Sequence, residues 1–189
     1  MPRKNTEPTV KISAGWSKGL KIQTPDSVQV RPTRERVRAS AINMLQPWLS
    51  EARVLDLFAG SGAVGIELVS RGAAGAQFVE NSPEAISCLK SNLHAASERA
   101  KKQSIVLEPW SLDAKDAHIF LGACASSLYD LVWADPPYAL AESFLGGKSD
   151  DISRVLVKGG IFALECGAQM RNKTFGKLVG HHWPHYATI

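Results

Sequence analysis

The sequence predicts an α/β protein in which a doubly wound, parallel sheet follows a small basic hairpin and helix. Five short apolar runs alternate with segments of helical periodicity, at residues 54–58, 76–79, 104–107, 128–134 and 161–165. Strands that alternate with helices favour a parallel sheet covered by helices on both faces. Ligands bind such sheets beyond the carboxyl ends of the strands, so the residues that follow these runs are the candidate site.

The N-terminal quarter is predicted to hold a basic arm and hairpin over residues 1–30, ahead of a larger domain over residues 31–189. Polar and apolar residues alternate on both sides of a glycine-bearing turn at Gly15, which is typical of a hairpin. Thr33 is a suitable N-cap for the helix that follows. The apolar face of that helix comprises Val37, Ala41, Met44, Leu45 and Trp48, at helical spacing.

Two later helices are predicted from local signals. Ser82 suits the N-cap position and Pro83 the first helical position of one helix. Its apolar face comprises Ala85, Ile86, Leu89 and Leu93. Residues 152–157 favour the other helix, and the turn at residues 158–160 leads from it into the fifth strand.

The positive charge of the chain is concentrated near its start. Residues 1–50 contain nine Lys or Arg and three Asp or Glu, whereas residues 51–189 contain thirteen and fifteen. A basic segment ahead of the core suits binding to a polyanion, and its alternative is a solvated tail. The candidate phosphate-binding residues are Lys11, Lys18, Lys21, Arg31, Arg34 and Arg38, although solvation explains Arg34 and Arg38 equally well.

A nucleotide-type turn follows the first apolar run. Gly60, Gly62 and Gly65 fit G-x-G-x-x-G between a strand and a helix, where the backbone can approach a ligand closely. Glu80 ends the next run, twenty positions after Gly60, where a carboxylate accepts hydrogen bonds from ribose hydroxyls. The same pattern is the dinucleotide fingerprint, so both classes of ligand remain open on this evidence.

Asp56 favours a cationic ligand over a dinucleotide. It lies inside the first strand, just before the glycine turn, where dinucleotide folds more often carry apolar residues. A carboxylate there can meet S-adenosylmethionine, which is cationic at its sulfonium and amino groups and lacks a pyrophosphate. The alternative is that Asp56 accepts hydrogen bonds from nearby backbone amides, and both roles can hold together.

The most informative segment is Asp135-Pro136-Pro137-Tyr138, directly after the fourth apolar run. Two prolines make a stiff loop. The Asp135 carboxylate and the Pro136 carbonyl are both acceptors, and together they suit an NH2 group. The Tyr138 ring offers a face on which a nucleobase can stack. The segment therefore predicts a site for the exocyclic amine of a base, and its alternative is an ordinary proline-rich turn with Tyr138 packed at the rim.

Taken together, these motifs resemble the RsmD family, the bacterial 16S ribosomal RNA guanine-N2 methyltransferases. The matching pieces are residues 31–38, 56–62, 79–80 and 135–138, in the family's order. The resemblance implies a class I, Rossmann-like methyltransferase fold, S-adenosylmethionine as methyl donor and a guanine of small-subunit RNA as target. It implies ribosomal RNA as the partner, favoured as part of the small ribosomal subunit, with naked RNA as the alternative. An adenine amino methyltransferase, a dinucleotide-binding oxidoreductase and an inactive RNA-binding module are the alternatives.

The resemblance also implies roles for single residues. Asp135, Pro136, Pro137 and Tyr138 would form the catalytic loop. The cofactor site would comprise Asp56, Phe58, Gly60, Gly62, Glu80 and Asp113, the last lying in a loop after the third strand and meeting the adenine. Methyl transfer by direct displacement requires no covalent enzyme intermediate, so no cysteine is needed.

Composition suits a cytoplasmic monomer without a metal. A chain of 189 residues can bury a core without disulfides, and Cys88, Cys124 and Cys166 are too scattered for a disulfide framework. No apolar run is long enough to cross a membrane. Three histidines lie within residues 181–185, but no carboxylate or cysteine is spaced to complete a metal site.

Overall fold

The computed structural model describes residues 9–25 and 32–165. The N-terminal elements are β1 (Thr9–Lys11), β2 (Lys21–Gln23) and α1 (Pro32–Leu45), followed by a short 3-10 turn (Gln46–Trp48). The central elements are β3 (Arg53–Leu57), α2 (Ala63–Ser70), β4 (Gly75–Glu80) and α3 (Pro83–Lys102). The last elements are β5 (Ser111–Ala114), α4 (Ala117–Ala123), β6 (Tyr129–Ala134), α5 (Tyr138–Val155) and β7 (Leu156–Leu164).

The sheet confirms the predicted doubly wound fold. Its five strands are parallel throughout and lie in the order β5-β4-β3-β6-β7. The chain runs outward from β3 to β5 and then returns to the other side of β3 with β6. The strand order therefore reverses between β3 and β6, which is the position where open α/β sheets bind ligands.

Two apolar layers cover the two faces of the sheet, because successive residues of a strand point to opposite faces. On β6, Leu131 and Trp133 join the layer formed with the hairpin, α1, α2 and α3. Val132 and Ala134 join the other layer, which contains residues of α4 and α5. No helix in the described part of the chain is long and apolar enough to cross a membrane.

The predicted hairpin is confirmed, and it is docked onto the first layer. β1 and β2 pair antiparallel, and Ile12 and Ile22 are fully buried in the core. The hairpin turn lies against the end of α2, where the Trp16 N–H donates to the Ser70 carbonyl at 3.1 Å. Gly15 has a φ of +77°, and a Cβ there would lie 1.9 Å from the Ser70 oxygen. Only glycine can therefore make this approach.

The strand predicted at residues 104–107 is wrong, because the third strand of the larger domain is β5, seven residues later. Val106 is 95% exposed, and only Leu107 of that run packs against the core. β5 is a sheet-edge strand with a half-buried polar sequence, so the apolar pattern favoured the wrong segment. Asp113 accordingly lies inside β5 and not in the loop predicted after the strand.

The boundaries of α1 and α5 also differ from the prediction. α1 begins at Pro32, so Thr33 lies in its first turn instead of at the N-cap. Of its predicted apolar face, Ala41 and Leu45 are buried, whereas the side chains of Val37, Met44 and Trp48 are exposed. The buried face includes Ile42 in their place.

α5 spans eighteen residues from Tyr138, far more than the predicted helix over residues 152–157, and ends at Val155. Leu156 and Val157 already belong to β7, and Gly159, with a φ of +82°, lies within that strand beside a register irregularity. The start of α3 is as predicted, since the Ser82 side chain accepts a hydrogen bond from the Ala85 N–H and Pro83 follows it.

Candidate active site

A cavity of about 500 Å³ lies above the carboxyl ends of β3, β4, β6 and β7. Ligand pockets for molecules of drug size have volumes of roughly 300–1,000 Å³. The glycine loop and Glu80 form one side of the cavity, and Asp135, Pro136 and Pro137 form the other. The structure thus brings two separately predicted motifs into one site at the switch point of the sheet.

The glycine loop is shaped by residues in the left-handed region of φ. Gly60 has a φ of +54° and Gly62 one of +77°, where glycine is unstrained. Phe58 has a φ of +61° without being glycine, and such residues are uncommon and cluster at functional sites. Its ring packs edge-on against Phe144 of α5 at 5.0 Å between centroids. A Cβ on Gly60 would meet only one atom, at 4.0 Å, so this backbone is open to a ligand.

Glu80 holds the glycine loop in place. One carboxylate oxygen accepts a hydrogen bond from the Gly60 N–H at 2.8 Å. The other accepts from the N–H groups of Asn81, at 2.9 Å, and Ser82, at 2.8 Å. A carboxylate has about four lone-pair sites, so these bonds leave capacity for one more donor. The ribose role predicted for Glu80 therefore fits alongside its role in positioning the loop.

Asp56 is buried at the floor of the cavity, with 1% of its surface exposed. Its carboxylate accepts a hydrogen bond from the Gly65 N–H at 3.0 Å, which is the backbone role considered for it above. Burial raises the pKa of Asp56 to about 8, the bond from Gly65 opposes this shift, and the charges of Asp135 and Glu80 add to it. An acid of this kind is stabilised in its ionised form by a cation that enters the cavity.

The loop over residues 135–138 follows β6 directly. Asp135 is exposed at the cavity, Pro136 is buried and Pro137 is exposed. The Pro137 carbonyl accepts a hydrogen bond from the Leu140 N–H at 2.7 Å, which ties the loop to the first turn of α5. Tyr138 begins α5, but the position of its side chain lies outside the described part of the structure.

Three further charged residues line the cavity, and none of them was placed there from the sequence. Glu165 directly follows β7, and Glu35 and Arg38 come from α1. Burial lowers the pKa of Arg38, and the carboxylates of Glu67, Glu35 and Glu165 oppose that shift. A carboxylate after the last strand is the same signal that identified Glu80 and Asp135, so Glu165 could have been found in the same way. No comparable signal identified Arg38 as a cavity residue.

Asn92 of α3 connects the hairpin to the glycine loop. It is 2% exposed, and its amide nitrogen donates to the carbonyls of Gln23, at 2.8 Å, and Ser61, at 2.9 Å. Its amide oxygen accepts from the Gln23 N–H at 2.9 Å. The end of the hairpin, at Thr24 and Pro25, reaches the cavity wall as a result.

Some predicted site residues lie elsewhere. Asp113 accepts a hydrogen bond from the Gln77 side chain, pairs with Lys115, and does not line the cavity. Gly62 shapes the loop from beneath, where a Cβ would lie 2.2 Å from the Leu89 side chain.

Of the predicted phosphate-binding residues, Lys11, Lys18 and Lys21 are exposed on the hairpin. Arg38 is half-buried in the cavity wall and donates to the Lys11 carbonyl at 3.3 Å. The helical backbone of Arg34 is described but its side chain is not, and Arg31 and the histidines at residues 181–185 lie outside the described residues.

The parallel sheet, the glycine turn at its switch point and the acid that ends β4 together define a class I, Rossmann-like methyltransferase fold. A putative methyltransferase from Escherichia coli, yhhF, has the same fold with a TM-score of 0.67 and 31% identity, over 84% of this chain and 81% of that one. A putative methyltransferase in complex with SAH has a TM-score of 0.64 over 85% of this chain and 43% of the other. At 16% identity, that likeness concerns the fold alone.

The chain belongs to the family described as Conserved hypothetical protein 95, whose model matches residues 10–181. It is 34% identical over 135 residues to Ribosomal RNA small subunit methyltransferase D of Escherichia coli K12, covering 68% of this chain and 60% of that protein. It is also 34% identical over 129 residues to the putative rRNA methyltransferase YlbH of Bacillus subtilis, covering 68% and 67%. These matches confirm the predicted family, and the alignment spans about 60% of the length of the Escherichia coli relative.

Proposed function

We propose that the protein transfers a methyl group from S-adenosylmethionine to the exocyclic amine of a guanine in 16S ribosomal RNA, acting in the cytoplasm. One observation carries the proposal. The loop that presents acceptors for an amine and the loop that suits a nucleotide-like cofactor face the same cavity from neighbouring strands. Relatives that bear the name of a small-subunit ribosomal RNA methyltransferase support RNA as the substrate.

The residues on the β3 and β4 side fit the cofactor. Gly60 leaves its backbone open, Glu80 retains acceptor capacity for a ribose hydroxyl, and Asp56 supplies a buried acid for a cationic group. S-adenosylmethionine, when bound, supplies a methyl group on a positively charged sulfur. The positive charge of this cofactor favours ionisation of Asp56, whereas the negative charge of a dinucleotide's pyrophosphate would oppose it.

The residues on the β6 side orient the amine. The target base leaves its stack to enter the cavity, which costs a few kcal/mol. Asp135 and the Pro136 carbonyl each accept one amine hydrogen. This directs the nitrogen lone pair, otherwise delocalised into the ring, toward the methyl group. Stacking on the Tyr138 ring would recover about 1–3 kcal/mol. Positioning of two reactants lowers barriers by roughly 7–11 kcal/mol. The methylated amine is acidic enough to lose its extra proton to water, so no strong base is required.

The exposed lysines of the hairpin supply contacts to RNA phosphates. Lys11 and Lys21 are cross-strand partners with exposed side chains, and Lys18 is exposed in the turn between the strands. Because the far end of the hairpin reaches the cavity at Thr24 and Pro25, RNA held on the hairpin lies next to the site where a base would enter.

Methyl transfer from tritiated S-adenosylmethionine tests the proposal. Small ribosomal subunits and naked 16S RNA, both from cells that lack the enzyme, serve as substrates, and labelled nucleosides are then separated. We expect label in N2-methylguanosine at one position. Label in N6-methyladenosine would replace guanine with adenine as the target. Calorimetry with NAD and with S-adenosylmethionine is the accompanying control, and micromolar binding of NAD without binding of S-adenosylmethionine would contradict the methyltransferase function.

A further inference from the structure

Two carboxylates lie side by side at the carboxyl ends of β6 and β7. Ala134 of β6 pairs in register with Leu164 of β7, so Asp135 and Glu165 follow as the next pair. The Glu165 N–H donates to the Ala134 carbonyl at 2.9 Å, which fixes the two backbones relative to each other. Neighbouring strands lie about 4.8 Å apart, so one small planar ligand can reach both side chains. Both residues line the cavity.

Donors lie next to this pair of carboxylates. Arg38 lines the same cavity from α1, and the charges of Glu67, Glu35 and Glu165 act on it. The Arg38 Nε and the Trp133 Nε1 are buried and have no hydrogen-bond partner among the described residues. Buried donors without partners are uncommon in folded proteins. This part of the cavity therefore suits a ligand that brings an acceptor.

Guanine and adenine differ in the groups that adjoin their amines. In guanine the amine at C2 lies beside the N1–H, and the O6 acceptor follows. In adenine the amine lies beside N1 without a hydrogen, which is an acceptor. Along this edge of guanine the amine and the N1–H donate hydrogen bonds and O6 accepts them. A complementary site therefore offers two acceptors followed by a donor. Asp135, Glu165 and Arg38 offer that complement, because carboxylates only accept when ionised and a guanidinium only donates.

We propose that Glu165 is a specificity-determining residue, which accepts the N1 hydrogen of guanine while Asp135 and the Pro136 carbonyl accept the amine hydrogens. Arg38 faces O6. The inference depends on the proposed function and adds the reason why the base is guanine. An adenine would bring the lone pair of N1 against the Glu165 carboxylate, so two acceptors would meet and no hydrogen bond would form between them.

An analogue of guanine that lacks only the N1 hydrogen and O6 tests the role of Glu165. The target nucleotide is mapped in the wild-type reaction, and subunits are then assembled with guanosine or 2-aminopurine riboside at that position. 2-Aminopurine keeps the amine but has no hydrogen at N1 and no O6. In single-turnover transfer, we expect the wild type to prefer guanosine by at least about a hundredfold. In Glu165→Gln the preference should narrow to about tenfold or less, since the new amide can donate to N1.

A matched variant and a binding measurement complete the experiment. Glu51→Gln makes the same charge change on an exposed residue that precedes β3, at the amino ends of the strands. This variant should leave the preference for guanosine unaltered. Affinity for each RNA, measured by competition, gives the preference even where a variant transfers slowly. An unaltered preference in Glu165→Gln would overturn the role of Glu165. Failure of the wild type to methylate any RNA guanine would instead overturn the proposed function.

Discussion

In the half of the cavity built by β3 and β4, three backbone N–H groups already donate to Glu80. In the half built by β6 and β7, Asp135 is exposed and two buried donors, on Arg38 and Trp133, have no partner among the described residues. The first half is organised by its own hydrogen bonds. The second half contains two buried donors that the described residues do not satisfy.

This difference suits two ligands of different kinds. A free cofactor brings limited binding energy, so a preformed loop limits what is lost in ordering the protein. A base within a large RNA brings additional binding energy from its phosphates, which offsets the cost of leaving its stack. Single substitutions and pH dependence can test this division, beginning with the largest expected effect.

Asp135→Ala should affect only the half of the cavity built by β6 and β7, where the target base would bind. Its acceptor matters most as the amine nitrogen changes geometry, so the loss should fall on the chemical step. We expect single-turnover transfer to fall by about a hundredfold or more, while affinity for S-adenosylmethionine changes by less than about threefold. Asp130→Ala, at the other end of β6, removes an exposed ion pair with Arg53 and is the control. Near-normal transfer by Asp135→Ala would contradict the assignment of separate roles to the two halves of the cavity.

Asp56 should couple cofactor binding to pH. Its pKa of about 8 means that it is protonated at neutral pH and must ionise to meet a cation. Affinity for S-adenosylmethionine should therefore rise by up to about tenfold per pH unit below pH 8 and level off above it. Calorimetry in buffers of different ionisation enthalpy should detect proton release at pH 7. Asp56→Asn should abolish that release, and a release that persists would assign it to another group.

The same group has a consequence for stability. Because the folded-state pKa of Asp56 is raised, the folded protein binds a proton that the unfolded chain has lost between about pH 4 and pH 8. The contribution of Asp56 to the free energy of unfolding therefore decreases as pH rises through this range, which destabilises the fold, and it is constant above the range. Asp56→Asn should flatten that dependence in denaturant titrations.

Asn92→Ala should weaken the connection between the hairpin and the half of the cavity built by β3 and β4, where the cofactor would bind. It removes three hydrogen bonds and leaves the Gln23 and Ser61 carbonyls without this partner. We expect the free energy of unfolding to fall by about 2 kcal/mol and affinity for S-adenosylmethionine to weaken, because Ser61 lines the cavity. Ser91→Ala, on the exposed side of the same helix, should change stability by less than about 0.5 kcal/mol. Equal effects of the two variants would argue against the connection.

Replacing Lys11, Lys18 and Lys21 with alanine should have the smallest effect, confined to RNA affinity. If each contacts one phosphate, the slope of log affinity against log salt should decrease by about 2. Cofactor affinity should not change. Alanine at Lys115, Lys148 and Lys158, which lie outside the hairpin, makes the same charge change and should leave the slope as it is. Identical slopes for the two triple variants would reduce the hairpin lysines to a solvating role.

The sequence by itself determined the fold class, the glycine loop and the acidic residues at the ends of β4 and β6. Each depends on spacing within a short segment, such as the glycines before Ala63 and the prolines after Asp135. That Gly60, Glu80 and Asp135 share one edge also followed from the sequence, because parallel strands place their carboxyl ends together. The strand at β5 was misplaced because an edge strand needs little apolar character.

Only the tertiary structure decided which distant residues complete the site. Asn92 contacts Gln23 across 69 residues of chain, and Arg38 reaches the cavity because α1 lies over the sheet. No local pattern encodes such contacts, since they depend on how α1, α3 and the hairpin pack together around the core. The buried position of Asp56 among other carboxylates, which raises its pKa, likewise arises only when β3, β4 and β6 come together.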